Sequence, residues 1–366
     1  MSRITQIQKK LRDDSLDALV LVTYDSPRAD GNNKNVDYVS GFTGSTGAVV
    51  VSQADAVLVV DGRYTERAKS ESSLRVVAAD NRNRGVVNFT NYLEPGLSAL
   101  GLTEASRAGY EAKRVSAWMV GEWEQSGLAT FAPTVGVVES LRQWKDEDEI
   151  THLRDACART CAVWNECAQN IVAGKTEREV QLVFDMALRA HGASGNSFGT
   201  IVASGPNSAS PHHETSDRVI EAGEPVTVDF GGVFTKGYCS DVTRTLFVPG
   251  KDPDAKMVEI YKTVLEANVK AREALKIGMT WKEYDTVARD HIVEKGYGEY
   301  FGHGLGHSLC LEAHDPYDYA HTPFQSGLVI TDEPGIYVPG LGGARIEDDL
   351  VLTQSGVENL TASASY

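Results

Sequence analysis

Four carboxylates and one histidine-rich segment carry the chemistry in this sequence. Asp229 follows VTV, and Glu333 lies in LVITDEPGIY, so each acid interrupts a run of apolar and β-branched residues that reads as a buried strand. An isolated buried carboxylate is costly, so each must be paired, protonated or bound to a cation. Each strand leads to a second acid, Asp241 in GYCSDVTRT and Glu347 in GARIEDDLVLT. If each half folds as a hairpin, alternate residues share a face and the second acid returns beside the first. Four convergent carboxylates repel one another unless cations intervene, and two divalent ions balance their formal charge.

The segment FGHGLGHSLCLEAHD, residues 301 to 315, places His303, His307 and His314 among glycines that disfavour a helical HxxxH reading. A single imidazole from this segment would complete an oxygen-rich ligand set that suits Mn²⁺, Co²⁺ or Zn²⁺. Two such ions bridged by hydroxide supply a nucleophile at neutral pH and polarise a carbonyl, which is hydrolase chemistry. Competing motifs fall short. HHETSD lacks the second histidine of HExxH, no GxxxxGK[ST] loop is present, and GHSLC misses the last glycine of GxSxG. GFTGSTG, residues 41 to 47, reads as a tight turn between strands rather than an anion cradle.

The elements that must position these groups are marked by an internal repeat. GKTEREV begins at Gly174 and GMTWKEY at Gly278, 104 positions later. In both, a threonine followed three residues on by glutamate (Thr176 and Glu179; Thr280 and Glu283) forms a capping box at a helix start. Each helix ends at a glycine, Gly192 or Gly296, again 104 apart. The offset runs on into the strands, where Gly223, Asp229 and Gly231 map onto Gly327, Glu333 and Gly335. Two related half-domains therefore each place an acid at the same point of a strand.

Upstream, LDALVLV, GAVVVS, AVLVVDGRY and LRVVAAD alternate with helical patterns, as in a mixed α/β domain, and SPRADGNNKN (26 to 35) reads as a turn-rich loop. Near Val138 this pattern yields to a long helical stretch with acids at its start, which predicts domains at 1–138 and 139–366. A length of 366 residues agrees with two domains. The formal charge of −16 disfavours nucleic acid and anionic membranes as partners. No apolar signal segment opens the chain, so a cytoplasmic location is expected. The five cysteines include no CxxC pair and read as plain buried thiols.

Taken together, YVSGFTGSTG, VVDGRY, IVASGPNSASPHHETSDRVI, VTVDFGG, GYCSDVTRT, HGLGHSLCLEAHD, TDEPGIY and GARIEDD make the chain resemble the pita-bread metallopeptidases, in their Xaa-Pro peptidase branch. The resemblance implies a creatinase-like N-terminal α/β domain and a pita-bread catalytic domain with two pseudo-symmetric halves. It also implies a homodimer acting on peptides with proline at the second position. Two divalent ions are implied, manganese first with cobalt or zinc also fitting, held by Asp229, Asp241, His307, Glu333 and Glu347. Glu333 would double as general base. His212 would lie over the substrate, His303 and His314 would steady the intermediate and move protons, and Arg345 would orient the site. His213, His321, His152, His191 and His291 receive no role.

Two departures from the resemblance bear on the site. Asp241 follows Asp229 by twelve positions where relatives show eleven, so the turn in GGVFTKG must absorb an extra residue if both acids are to keep one face. Asp332 stands where relatives carry an apolar residue, and strand alternation should point it away from the metals. Dipeptidase members place an arginine between the histidine and glutamate motifs, whereas Leu311 to Asp332 contains neither Arg nor Lys. The favoured expectation is an Xaa-Pro aminopeptidase. The alternative is an Xaa-Pro dipeptidase, and a scaffold protein without activity is a remote third.

Overall fold

The computed structural model describes residues 2–24, 33–79 and 89–366. The chain divides into two compact units, Met1–Arg142 and Gln143–Tyr366.

In the first unit the apolar runs become strands Ala18–Thr23, Gly47–Ser52 and Ala56–Val60, every residue of which is buried. Strands this apolar need cover on both faces. They form the middle of a six-stranded mixed sheet, completed by Arg75–Ala78 at one edge and by Arg107–Glu111 and Thr130–Thr134 at the other. Most of the loop expected over 26–35 lies outside the described residues. Its end is already helical, because the Asn33 side chain accepts a hydrogen bond from Asn35 N and caps the helix Lys34–Ser40. The turn 41–47 accordingly joins a helix to a strand and not two strands.

In the second unit the long helical stretch is broken. A short helix Glu139–Arg142 ends the first unit, and the helix Glu147–Cys167 opens on a capping box between Asp146 and Glu149. The repeat then appears in three dimensions. Helices Glu177–Ala190 and Trp281–Glu294 have bounds 104 positions apart, and both carry the expected Thr–Glu capping box. Gly192 and Gly296, just beyond them, have φ of 94° and 85°, a left-handed backbone that glycine adopts without penalty.

Each half has its own core. Val180, Phe184 and Leu188 of the first helix, spaced by four, pack with Val226, Val228 and Phe230. Tyr284, Ala288 and Ile292 of the second pack with Leu328, Ile330 and Leu350. Burying each large side chain contributes about 1.5–3 kcal/mol, enough to fix each helix on its sheet. The first half's sheet has the order Val242–Phe247, Pro225–Phe230, Ile201–Ser204, and the second's has Leu328–Asp332, Asp348–Thr353, Gly356–Asn359. The halves join where Glu347 N donates to Thr243 O at 3.0 Å. All five cysteines are buried, and no disulfide joins them. Among the described residues no helix is long and apolar enough to cross a membrane.

Candidate metal centre

Strand register sets the acids. Pro225–Phe230 pairs antiparallel with Val242–Phe247 so that Asp229 faces Thr243, and the same register continues to an isolated pair between Val233 and Cys239. The extra residue therefore sits in the tip, where Lys236 and Gly237 both take positive φ (57° and 84°), and Asp229 and Asp241 remain on one face. In the second half Asp332 faces Asp348, which puts the next pair outward, Glu333 and Glu347, side by side. Thr243 donates to Glu347 Oε2 at 2.7 Å and draws that carboxylate against the first hairpin.

His307 reaches this cluster because its loop lies along the strand Leu328–Asp332 that leads into Glu333. Thr331 N donates to His307 O at 2.9 Å, and Glu333 N to Leu305 O at 2.8 Å. A Cβ on Gly306 would stand 2.2 Å from Thr331 O, so only glycine permits this approach. The Thr331 hydroxyl accepts from His307 N at 2.9 Å and donates to Glu333 Oε1 at 3.1 Å, linking the two residues through one side chain. His307 Nε2 lies 3.3 Å from Glu333 Oε1 and 3.7 Å from Asp241 Oδ2. One ligand atom from each of Asp241, His307 and Glu347 falls within 4.8 Å of the others.

The electrostatics of this cluster call for a cation. Burial, then the charges of Glu347 and Asp229, raises the Asp241 carboxyl well above the usual range. Burial, then Glu333 and Asp229, does the same to Glu347. Burial also raises Glu333, against the pull of His303 and Arg345. Asp229 Oδ1 and Asp241 Oδ1 are buried with no hydrogen-bond partner. Unpartnered buried carboxylate oxygens beside an imidazole are a donor set suited to a divalent ion. Burial lowers His307, which favours the neutral, metal-binding imidazole.

Around this cluster the remaining residues form a polar chain. Arg345 donates to Asp229 Oδ2 at 2.6 Å, to Thr243 Oγ1 at 3.1 Å and to the Tyr337 hydroxyl at 2.9 Å. Tyr337 lies 2.9 Å from His303 Nε2, while His303 Nδ1 lies 2.8 Å from the Gly304 carbonyl. That carbonyl can only accept, so Nδ1 carries the proton of a neutral ring and Tyr337 donates to Nε2. Burial pushes the Tyr337 hydroxyl up to about 12 and keeps it a donor. Tyr337 is the residue that motif reading missed. Its signal was its place in TDEPGIY, four positions after Glu333.

His314 packs against His307 with ring centroids 4.0 Å apart and the rings tilted by 37°. Desolvation, then His307 and His212, pushes His314 down to about 4. His212 is exposed, and its charge acts on both His303 and His314. Asp332 is buried, and burial, then the charge of Asp348, raises its carboxyl well above the usual range, with Glu333 adding to the rise; as the neighbour of Glu333 along the chain it takes the other face of the strand. The wholly buried Arg244 braces the second half's acidic segment, donating to Glu347 O at 2.5 Å and to Asp348 Oδ1 at 2.8 Å.

Residues 151–354 match the model of metallopeptidase family M24, and residues 3–144 match the creatinase/prolidase N-terminal domain. The chain belongs to metallopeptidase family M24. Among curated relatives of this M24 chain is an Xaa-Pro dipeptidase of Pyrococcus horikoshii, 35% identical, with 98% of this chain and 96% of that protein covered. An Xaa-Pro dipeptidase structure from Bacillus anthracis superposes with TM-score 0.87 at 36% identity, covering 98% of this chain and 97% of that one. An X-Pro aminopeptidase from Thermotoga maritima superposes with TM-score 0.85 at 35% identity, covering 99% and 98%. The expected creatinase-like domain and pita-bread catalytic domain are thereby borne out. The M24 chain is a metal-dependent peptidase, and its cluster of Asp241, His307 and Glu347 is a candidate site for the metal.

The M24 unit also shows what holds the segment that carries His212. His213, to which the sequence gives no role, lies 2.8 Å from the buried Glu177. Glu177 also accepts from Ser204 N and Oγ, Asn207 Nδ2, and Ser216 N and Oγ. Burial alone would raise this acid, but hydrogen bonds from Ser216, Asn207, His213 and Ser204 hold it down at about 2. A carboxyl lowered on folding stabilises the native state above its unfolded value of 4.5, and that stability is lost as pH falls from 4.5 toward 2. Glu177→Gln is therefore expected to cost up to roughly 3 kcal/mol at pH 7. The gap from wild type should close over that acid window. Denaturant unfolding at a series of pH values reads this, and a gap independent of pH would refute it.

Proposed function

We propose that the chain hydrolyses Xaa-Pro dipeptides. The observation that carries the reading is the convergence of Asp241, His307 and Glu347, with Glu333 beside His307, in a family M24 fold. Similarity to Xaa-Pro dipeptidases over nearly the whole chain supports the substrate class. In this reading Asp229, Asp241, His307, Glu333 and Glu347 hold two divalent ions, and Mn²⁺, Co²⁺ and Zn²⁺ all suit the donors. Such ions, when bound, supply a hydroxide nucleophile at neutral pH and polarise the scissile carbonyl.

The chain's own groups do the rest. Glu333 takes the proton of the attacking water and returns it to the proline nitrogen as the C–N bond breaks, so hydroxyl goes to the carbonyl carbon and hydrogen to the leaving amine. In this reading His314 offers a ring nitrogen to the developing charge, and His303, held by Tyr337 at Nε2, turns its Nδ1 proton from the Gly304 carbonyl to the substrate. His212, at the exposed rim, covers the substrate. Arg345 fixes Asp229.

A second reading, the Xaa-Pro aminopeptidase favoured from the sequence, draws on two observations. No Arg or Lys lies between Leu311 and Asp332 to hold a dipeptide carboxylate, and the Thermotoga maritima structure is an X-Pro aminopeptidase. The relatives named as dipeptidases tip the choice toward the dipeptidase. Incubation with Mn²⁺ and matched Xaa-Pro and Xaa-Pro-Yaa peptides separates the two. The expected result is release of proline from the dipeptide, with the tripeptide cut at least about tenfold more slowly and both reactions stopped by a chelator. Preferred cleavage of the tripeptide would establish the aminopeptidase, and no cleavage of either would refute the substrate class.

A further inference from the structure

The best-buried ion pair in the catalytic unit lies outside the ligand set. Lys145 and Asp315 have no exposed side-chain surface, and Lys145 Nζ is 3.4 Å from Asp315 Oδ2 and 3.1 Å from Ser308 Oγ. Removing an ammonium from water costs several kcal/mol, and a well-packed apolar pair often serves stability as well or better. A buried lysine therefore calls for an explanation beyond stability.

Its partners supply one. Ser308 follows His307 and Asp315 follows His314, so the single ammonium holds the residue after each of the two histidines whose rings pack together. Asp315 N donates to Ser308 O at 2.8 Å and closes the loop between them. The lysine is anchored in turn. Lys145 N donates to Gly327 O at 2.7 Å, and a Cβ on Gly327, whose φ is +89°, would stand 2.5 Å from Lys145 O. Gly327 immediately precedes the strand Leu328–Asp332, which leads into Glu333. One residue thus ties the base of the Glu333 strand to both ends of the histidine loop.

We infer that Lys145 is a positioning residue, whose buried contacts with Ser308 and Asp315 set the placement of His307 and His314 relative to the acids. The roles of those histidines rest on the function proposed above, so the test includes a metal readout that needs no substrate. Residues that orient metal ligands typically affect affinity or activity by about 10–100-fold.

The experiment compares wild type, K145M and K145M/D315L. It measures thermal unfolding, titration with Co²⁺ alone followed by visible absorption, and kcat and KM on an Xaa-Pro dipeptide with metal saturating. K145M is expected to melt markedly lower, because it takes the buried ammonium from the Asp315 carboxylate and the Ser308 hydroxyl. In K145M/D315L both charges are gone, and melting should return to within a few degrees of wild type. Co²⁺ affinity should nevertheless stay about tenfold or more weaker, with an altered spectrum, and kcat about tenfold or more lower with KM within about twofold. Wild-type Co²⁺ affinity and kcat in either variant that folds would overturn the inference and leave the pair a purely structural one. If wild type itself cuts no Xaa-Pro peptide, the Co²⁺ titration still decides the positioning role while the substrate proposal fails separately.

Discussion

His307→Ala is expected to empty the metal site, whereas His303→Ala and His314→Ala leave it filled and slow the chemistry. His307 Nε2 faces Glu333 and Asp241 directly, and its ligand atom groups with those of Asp241 and Glu347. Removing it takes the one neutral donor from a nest of buried carboxylates and leaves their repulsion unrelieved. Metal content should fall from stoichiometric to under about a tenth at micromolar metal, and kcat/KM by about 10³-fold or more, beyond the 10–100-fold typical of outer-shell partners. His303 instead bonds to Tyr337, and His314 packs its ring against that of His307. Loss of a positioned proton-transfer group costs about 10²–10⁴-fold, so kcat should fall by that factor with metal content unchanged. Elemental analysis beside steady-state kinetics reads both. Full metal in His307→Ala, or metal loss in His303→Ala or His314→Ala, would reverse the division of labour.

Glu333→Gln should produce the second large effect. Its carboxyl sits between His307 and the Thr331 hydroxyl, and burial raises its affinity for a proton toward the range a general base needs at neutral pH. Glutamine keeps the shape and one acceptor oxygen but cannot take a proton. With saturating metal, kcat should fall by about 10²–10⁴-fold on the base function alone. Wild-type turnover in this variant would remove Glu333 from the base role.

How much of this was legible beforehand follows from the range of the interactions involved. Capping boxes at Thr176 and Thr280 join residues three apart, so sequence shows them directly, and the structure contains both. The 104-residue offset was legible because each half repeats the same local solution to burying one helix on one sheet. The fate of the extra residue between Asp229 and Asp241 was only a preference, because a turn and a strand can both lengthen by one. The register through Val233 and Cys239 decides it for the turn. The loop over 26–35 was read from its polar, glycine-bearing composition, and that reading overlooked Asn33 as a helix cap.

By itself, then, the sequence determined the repeat, the acid-bearing strands and the histidine-rich loop, since helix caps, strand periodicity and glycine spacing act over a few residues. Tertiary structure alone decided which groups meet. Thr243 meets Glu347 across 104 positions, Arg345 meets Asp229 across 116, His303 meets Tyr337 across 34, and Lys145 meets Asp315 across 170. No local pattern encodes such pairs. They form because packing the two halves together removes charged and polar groups from water, and each must then find a partner in whatever strand or loop the fold brings alongside.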